Sequence, residues 1–287
     1  MFVVTGGNGN TGSVAARKLL EAGRAVRVVV RHARKAASLA ALGAQVVEAD
    51  IDDGAALERA FQGAEGAYLL SPPQLQSNDF IVERERTFTT LGQAARRAGV
   101  PHLVLLSSIG AQQPSGTGPI RSVAAGEAVL KQSGIPVSAV RAAYFVDNWL
   151  AVLQAVKSDG VLPSFLPRDF AIDMVATPDI GRVVAQTLLE GPRGQRVIEL
   201  AGPAPASPAD VASAFARIFG RAVQVLELPL DAVVPTFTSF GASAHIAGLF
   251  REMYEGLKSG RVGFEGGRAE LVRGPTSVEQ HLRALLG

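Results

Sequence analysis

Near its start the chain runs from a short apolar segment, Phe2-Val3-Val4, into Thr5-Gly6-Gly7-Asn8-Gly9-Asn10-Thr11-Gly12 and then into a helix-forming stretch. The spacing Gly6-x-x-Gly9-x-x-Gly12 between a strand and a helix restricts the fold more than any other feature. A strand that turns at once into a helix needs a residue free to adopt positive φ, and Gly6 supplies it. Gly9 lets a ligand approach the backbone, and Gly12 allows the helix to lie close against the strand. N–H groups at the start of such a helix have no acceptor inside it, so the turn attracts an anion, commonly phosphate. A glycine-rich turn with no ligand is the plainer alternative. The strand, helix and second strand follow at the spacing of a βαβ unit, which speaks against it.

Residues 2–5, 25–30, 45–48 and 66–70 read as strands, alternating with helical patterns over 11–22, 34–42 and 55–61. A helix over 79–98, a strand over 102–106, a helix over 120–131 and a strand over 137–141 continue the alternation. Strands separated by helices imply a parallel sheet, and six in this order predict an α/β, Rossmann-like doubly wound fold. After Asn148 the sequence becomes less periodic. Short strands at 173–175 and 196–200 flank a helix at 178–190, and segments near 171–202 are expected to return to the first sheet. Helices at 208–219 and 242–257 with a strand at 224–228 predict a smaller C-terminal α/β cap. The expected division is therefore 1–150 for the nucleotide-binding domain, with those returning segments, and 151–287 mainly for a substrate or cap domain.

Composition removes other classes of function. In 287 residues, 28 Lys and Arg balance 26 Asp and Glu to leave a net charge of +2, which gives no support to nucleic-acid binding. The chain has no cysteine, so disulfides, thiolate metal sites and thiol nucleophiles are excluded. His32, His102, His245 and His281 lack metal-ligand spacing, and no metal is expected. Asp147 and Asp173 read as isolated carboxylates. Neither a GxSxG elbow nor a Walker loop is present. No apolar run reaches the ~18 residues of a membrane span, and Met1-Phe2-Val3 leads straight into a strand without a signal-like segment. The expectation is a soluble, cytoplasmic protein acting on a small molecule.

The second strand ends in Arg31, with Arg34 and Lys35 after it and no carboxylate where an NAD-specific site would place one. Arg31 can hold a 2'-phosphate in a bidentate fork, which predicts NADP(H) as the cofactor. Lys35 either joins it or covers a solvated helix start. After the third strand, Asp50 and Ile51 suit an adenine amino group and ring face, although a helix-capping role competes for the acid. Ser71-Pro72-Pro73 would form a rigid rim over the dinucleotide. With Thr5, Gly6, Asn8, Gly9, Asn10, Thr11 and Gly12, these residues make up the predicted cofactor site.

Together with Leu69-Leu70-Ser71-Pro72-Pro73, the stretches 105–111 (LLSSIGA), 133–148 (SGIPVSAVRAAYFVDN) and 176–190 (ATPDIGRVVAQTLLE) resemble the NmrA-like branch of the short-chain dehydrogenase/reductase superfamily. The resemblance implies an NADP(H)-binding domain with a small C-terminal domain closing over the nicotinamide side. Members include NADPH-dependent quinone and dye reductases and also non-catalytic sensors that act through protein partners. Ser107 and Ser108 match the serine position of the superfamily, and the resemblance adds them, with Tyr144 and Phe145, to the expected cofactor-binding residues. The Tyr-x-x-x-Lys proton relay has no counterpart on the following helix, where the position aligned with the lysine holds Val123. Tyr254 and Lys258 reproduce the spacing in a different structural context, which reads as coincidence, with Tyr254 half-buried under the cap. The resemblance places Tyr144, Phe145 and Asn148 near the nicotinamide and the cleft mouth, with ordinary core packing an equal alternative for the two aromatics. His245 faces the cleft as a substrate contact or is a satisfied structural histidine. Ser108 and Tyr144 are the candidate catalytic groups. Without a general acid, the expected reaction is hydride transfer from NADPH to a small conjugated acceptor such as a quinone; the alternative is a redox sensor.

Overall fold

A computed structural model describes residues 1–267 and 269–287. In chain order the first half comprises β1 (Phe2–Thr5), α1 (Asn10–Glu21), β2 (Val26–Val30), α2 (Ala37–Ala41), β3 (Gln45–Glu48), α3 (Gly54–Phe61), β4 (Gly66–Leu69), α4 (Phe80–Arg97), β5 (Leu103–Ser108), α5 (Ile120–Gln132) and β6 (Val137–Ala142). The second half comprises β7 (Tyr144–Phe145), α6 (Leu153–Asp159), β8 (Val161–Ser164), β9 (Met174–Val175), α7 (Thr177–Glu190), β10 (Arg196–Ala201), α8 (Pro208–Phe219), β11 (Gln224–Glu227), α9 (Val233–Ser239), α10 (Ala244–Lys258), β12 (Glu270–Arg273) and α11 (Val278–Leu286).

Eight strands form one parallel sheet in the order β12-β10-β6-β5-β4-β1-β2-β3. Successive residues of one strand enter opposite cores, as the two-residue period of a strand requires. Val4 and Val104 join α1 and α7 on one face, whereas Val3, Leu103 and Leu105 join α3, α4 and α5 on the other. Both faces are covered, which is why the central strands read as nearly unbroken apolar runs. Order reverses between β1 and β4, and the C-terminal ends of strands diverge there to leave a crevice.

The sheet has two more strands than the six expected in the first half. β10 pairs with β6, as the returning segment predicted, and β12 then pairs with β10. β9 stays outside the sheet and pairs with β7. β12 escaped the sequence reading because an edge strand with three of its four residues exposed carries no buried apolar pattern. The helix expected over 34–42 splits into a 3-10 turn at Ala33–Ala36 and α2. Glu48 draws the Ala33 N–H toward β3 at 2.9 Å, which occupies the start of that segment.

Outside the sheet, β8 and β11 pair with one another, and α9 packs along α10 to build the smaller C-terminal part. Ser243 caps α10 and ties it to the loop after β4, donating its backbone N–H to Leu75 O at 2.8 Å and its hydroxyl to Ser77 O. No helix among the described residues is long and apolar enough to cross a membrane.

Candidate active site

Gly6 turns the chain at φ +62°, and its carbonyl accepts the Gly9 N–H at 2.9 Å. A Cβ on Gly12 would stand 2.4 Å from Gly6 O, so only glycine lets α1 begin this close to the turn. Beneath the loop, Thr5 Oγ1 donates to Tyr68 O at 2.9 Å and the Tyr68 hydroxyl pairs with Thr11 Oγ1 at 2.9 Å. Burial pushes the Tyr68 phenol far above its ordinary pKa, so this hydroxyl is a neutral strut. Gly9, at the N-cap of α1, has no side chain to satisfy the first turn. The N–H groups of Asn10, Thr11 and Gly12 find no protein acceptor among the described residues. That leaves a set of donors and a positive helix end facing outward, suited to an anionic group.

The crevice above β1, β2 and β4 holds a cavity of about 510 Å³. Thr5, Gly6, Asn8, Gly9, Asn10 and Thr11 line it from the loop, and Arg31 and Ile51 from the ends of β2 and the β3 connection. Ser71, Pro72 and Pro73 form the opposite rim, and Phe145 and Asn148 close one end. Arg31 is exposed and has no carboxylate partner among the described residues. Arg84, buried on α4, donates to Ser71 Oγ at 3.0 Å and also to Gln74 Oε1, which fixes the rim.

Six predicted cofactor residues do not line this cavity: Gly12, Lys35 and Asp50, and also Ser107, Ser108 and Tyr144, which line the neighbouring one. Gly12 is buried and permits the close packing of α1 on the turn, with only its backbone N–H left without a protein acceptor. Lys35 sits on the 3-10 turn and faces solvent. Asp50 accepts the Asp52 N–H at 2.9 Å in a local turn and is exposed, which leaves Ala49 and Ile51 as the wall at that point. The capping alternative for the acids falls to Asp53, whose Oδ1 accepts from Ala55 and Ala56 at the start of α3.

A second cavity of about 310 Å³ shares Ser71, Leu106, Phe145 and Asn148 with the first. Its walls are mostly apolar, among them Ile109, Ile120, Val123, Met253 and Leu257, with Ser107, Ser108 and Tyr144 adding polar groups. Val123, at the position aligned with the relay lysine, thus stands in the wall as an apolar residue. Both serine hydroxyls are engaged: Ser107 donates to Glu127 Oε1 at 2.5 Å, and Ser108 to Ile109 O at 3.0 Å. Glu127 in turn holds Arg141 through two bonds of 2.9 and 2.7 Å, so Ser107 belongs to an ion-paired cluster beneath the cavity.

Tyr254 is half-buried and Lys258 solvated, as expected of a coincidental spacing, but Tyr254 also makes a contact that the spacing did not announce. α10 brings its hydroxyl to 3.5 Å from that of Tyr144, at the edge of the second cavity, while Lys258 faces solvent four residues on. Burial pushes both phenols upward; for Tyr144 the hydrogen bonds from Tyr254 and Asn148 oppose the rise, and for Tyr254 the neighbouring Tyr144 adds to it. His245 lies away from both cavities. Its Nε2 accepts the Phe80 N–H at 3.3 Å and thereby caps α4, because the Ser243 contacts seat the start of α10 against the 75–77 loop.

Neither acid read as isolated stands alone. Asp173 pairs with Arg273. Asp147 lines the first cavity and joins three other segments: Oδ1 accepts from Asn10 Nδ2 and Thr177 Oγ1, both at 2.9 Å, and Oδ2 pairs with His281 Nε2 at 2.8 Å. Burial alone would raise the Asp147 carboxyl; the bonds and charge of His281, with Thr177, prevail and hold it below the usual carboxylate range. No local pattern marks a contact between residues so far apart. Among the described residues no cluster suited to a metal ion occurs.

The eight-stranded sheet and the glycine-turned crevice at its switch point define a doubly wound, Rossmann-type protein. The chain belongs to the NmrA-like family, whose model matches residues 1–282. It is similar to an NAD(P)H azoreductase of Xenophilus azovorans, with 27% identity over 255 residues covering 88% of this chain and 86% of the relative. The crystal structure of an NADPH-dependent quinone oxidoreductase from Escherichia coli, complexed with NADPH, superposes with a TM-score of 0.82 at 25% identity, covering 100% of this chain and 99% of that one. A Citrobacter sp. triphenylmethane reductase complexed with NADP(H) shares the fold, with a TM-score of 0.83 at 19% identity over 100% of both chains.

Proposed function

We propose that this protein is an NADPH-dependent reductase of small, flat conjugated acceptors such as quinones. The observation that carries the reading is the adjacency of the two cavities: a groove with anion-directed groups shares Ser71, Leu106, Phe145 and Asn148 as a common wall with an apolar chamber. The names of the azoreductase and quinone oxidoreductase relatives support the same reaction class.

The chain's own residues fit a dinucleotide. The unsatisfied N–H groups of Asn10, Thr11 and Gly12 meet the pyrophosphate, Ala49 and Ile51 offer an apolar face to the adenine, and Arg31 engages the 2'-phosphate. Phe145 and Leu106 border both chambers and hold the two reacting partners apart from bulk water. Bound NADPH supplies the hydride. Tyr144 then donates a hydrogen bond toward the acceptor oxygen, backed by Tyr254 and Asn148. With their pKa raised, the phenols remain neutral and are poor acids, so they stabilise charge without surrendering a proton. A quinone or extended dye spreads the incoming charge and takes its proton from water, whereas an alkoxide from a simple ketone requires a stronger donor.

The test is anaerobic oxidation of NADPH against a panel of quinones, azo dyes and simple ketones, followed at the reduced-nicotinamide absorbance. Sustained turnover with quinones or dyes is expected. Fast ketone turnover with none on quinones overturns the acceptor class, and binding of NADPH with no turnover on any acceptor overturns the assignment as a reductase.

A further inference from the structure

Asp147 is the meeting point of four parts of the chain that sequence order keeps far apart. It lies in the 3-10 helix after β7 and bonds Asn10 at the start of α1, Thr177 at the start of α7 and His281 on α11. The side chains of Asp147 and His281 are 11% and 3% exposed, so water offers little replacement for a lost partner. We infer that His281 is a positioning residue for dinucleotide binding, acting through Asp147 on Asn10 of the glycine loop. The inference rests on the dinucleotide reading above.

The geometry assigns each atom a task. Asn10 is the first residue of α1 and lines the groove, and its Nδ2 is held by Asp147 Oδ1. Oδ1 already serves both Asn10 and Thr177, so the orientation of the carboxylate is set by what holds Oδ2. That partner is His281 Nε2, and no other hydrogen-bond donor to Oδ2 occurs among the described residues. Without His281 a buried carboxylate oxygen is left unpaired, and rotation of the group toward water would carry Oδ1 away from Asn10. The glycine loop itself is anchored below by Tyr68 and would persist, so the loss concerns the Asn10 side chain and leaves the fold of the loop in place.

The decisive measurement is a double-mutant cycle on NADPH affinity by titration calorimetry, using full-length protein with His281→Ala, Asn10→Ala and both together. Each single change is expected to raise the Kd about tenfold. The double variant should bind no more weakly than the weaker single one, because both changes remove the same contact. His281→Gln, whose amide nitrogen occupies the place of Nε2, should restore most of the affinity. Thermal melting without cofactor separates affinity from folding, and if His281→Ala does not fold, the cycle is run with His281→Asn, too short to reach Oδ2. Multiplicative losses in the double variant, wild-type affinity in His281→Ala, or failure of glutamine to rescue would each overturn the inference. No NADPH binding by the unaltered protein would overturn the dinucleotide reading itself and the role of His281 with it; intact binding with multiplicative losses overturns the role of His281 alone.

Discussion

Tyr144 and Tyr254 meet hydroxyl to hydroxyl at 3.5 Å, across 110 residues of sequence, one from the short strand β7 and one from α10. The contact gives the smaller C-terminal part a direct share in the chamber proposed for the acceptor. Neither residue is matched to a lysine, so the pair supplies hydrogen bonds without an acid.

Tyr144→Phe should lower kcat for a quinone about tenfold and leave the Kd for NADPH unchanged. This is well short of the ~100-fold or greater loss seen when a donor to a localised oxyanion is removed. Tyr254→Phe should have a smaller effect in the same direction. Steady-state kinetics beside calorimetric titration decide the matter, and an equal loss of NADPH affinity would remove Tyr144 from the acceptor side.

Arg31→Ala should weaken NADPH about 30-fold, a loss of about 2 kcal/mol for a charge-assisted phosphate contact, and leave NADH nearly unaffected. Parallel titrations with the two dinucleotides check it. Equal losses for both would show that Arg31 does not read the 2'-phosphate.

Two pH windows of stability are expected. Burial, and secondarily the Arg196 charge, holds the His102 imidazole below its ordinary value of 6.5. The unfolded chain therefore takes up a proton near that value while the native state resists. Stability declines as the pH falls below 6.5, by at most about 1.4 kcal/mol per pH unit, until the buried ring is protonated. The Asp147 carboxyl is depressed below 3.8, so its contribution is present above 3.8 and is lost as the pH falls through the folded value. Urea unfolding across pH should show the first decline flattened in His102→Gln and the second unchanged.

Gly181 lies where α7 crosses α1, and a Cβ there would stand 2.6 Å from Val14 Cβ and 2.7 Å from Thr11 O. Gly181→Ala should cost about 1–3 kcal/mol of stability by overpacking and should also weaken NADPH, because relief requires α1 to shift at the glycine loop. Chemical denaturation and calorimetry test the two effects separately. A destabilised variant with normal NADPH affinity would show that the strain is absorbed by α7.

The first half of the fold was legible because each of its signals is local. A glycine turn, a period of two and a period of 3.6 all lie within a few residues, and they located β1 to β6, their helices and most of the groove. The place of Arg31 on the cavity wall was legible for the same reason, because it stands at the end of a recognisable strand. The role of Tyr254 was not, because its motif spacing carries no information until α10 is seen to cross the chamber. For Asp50 and His245 a ligand and a structural role were both open, and each accepts a nearby backbone N–H that only the folded chain supplies. Asp147 looked isolated because all its partners lie outside any sequence window.

The sheet order also bears on synthesis. The glycine loop is translated before the elements that follow it, whereas β12 and α11 leave the ribosome after the other described strands and helices. Until they do, β10 is an uncovered edge, and Asp147 lacks the histidine that fixes its second oxygen. Pairings this distant in sequence are slow to form. The nascent chain can thus have this groove in outline well before it can hold it in working order, so that residues translated later time the maturation of a site built from earlier ones.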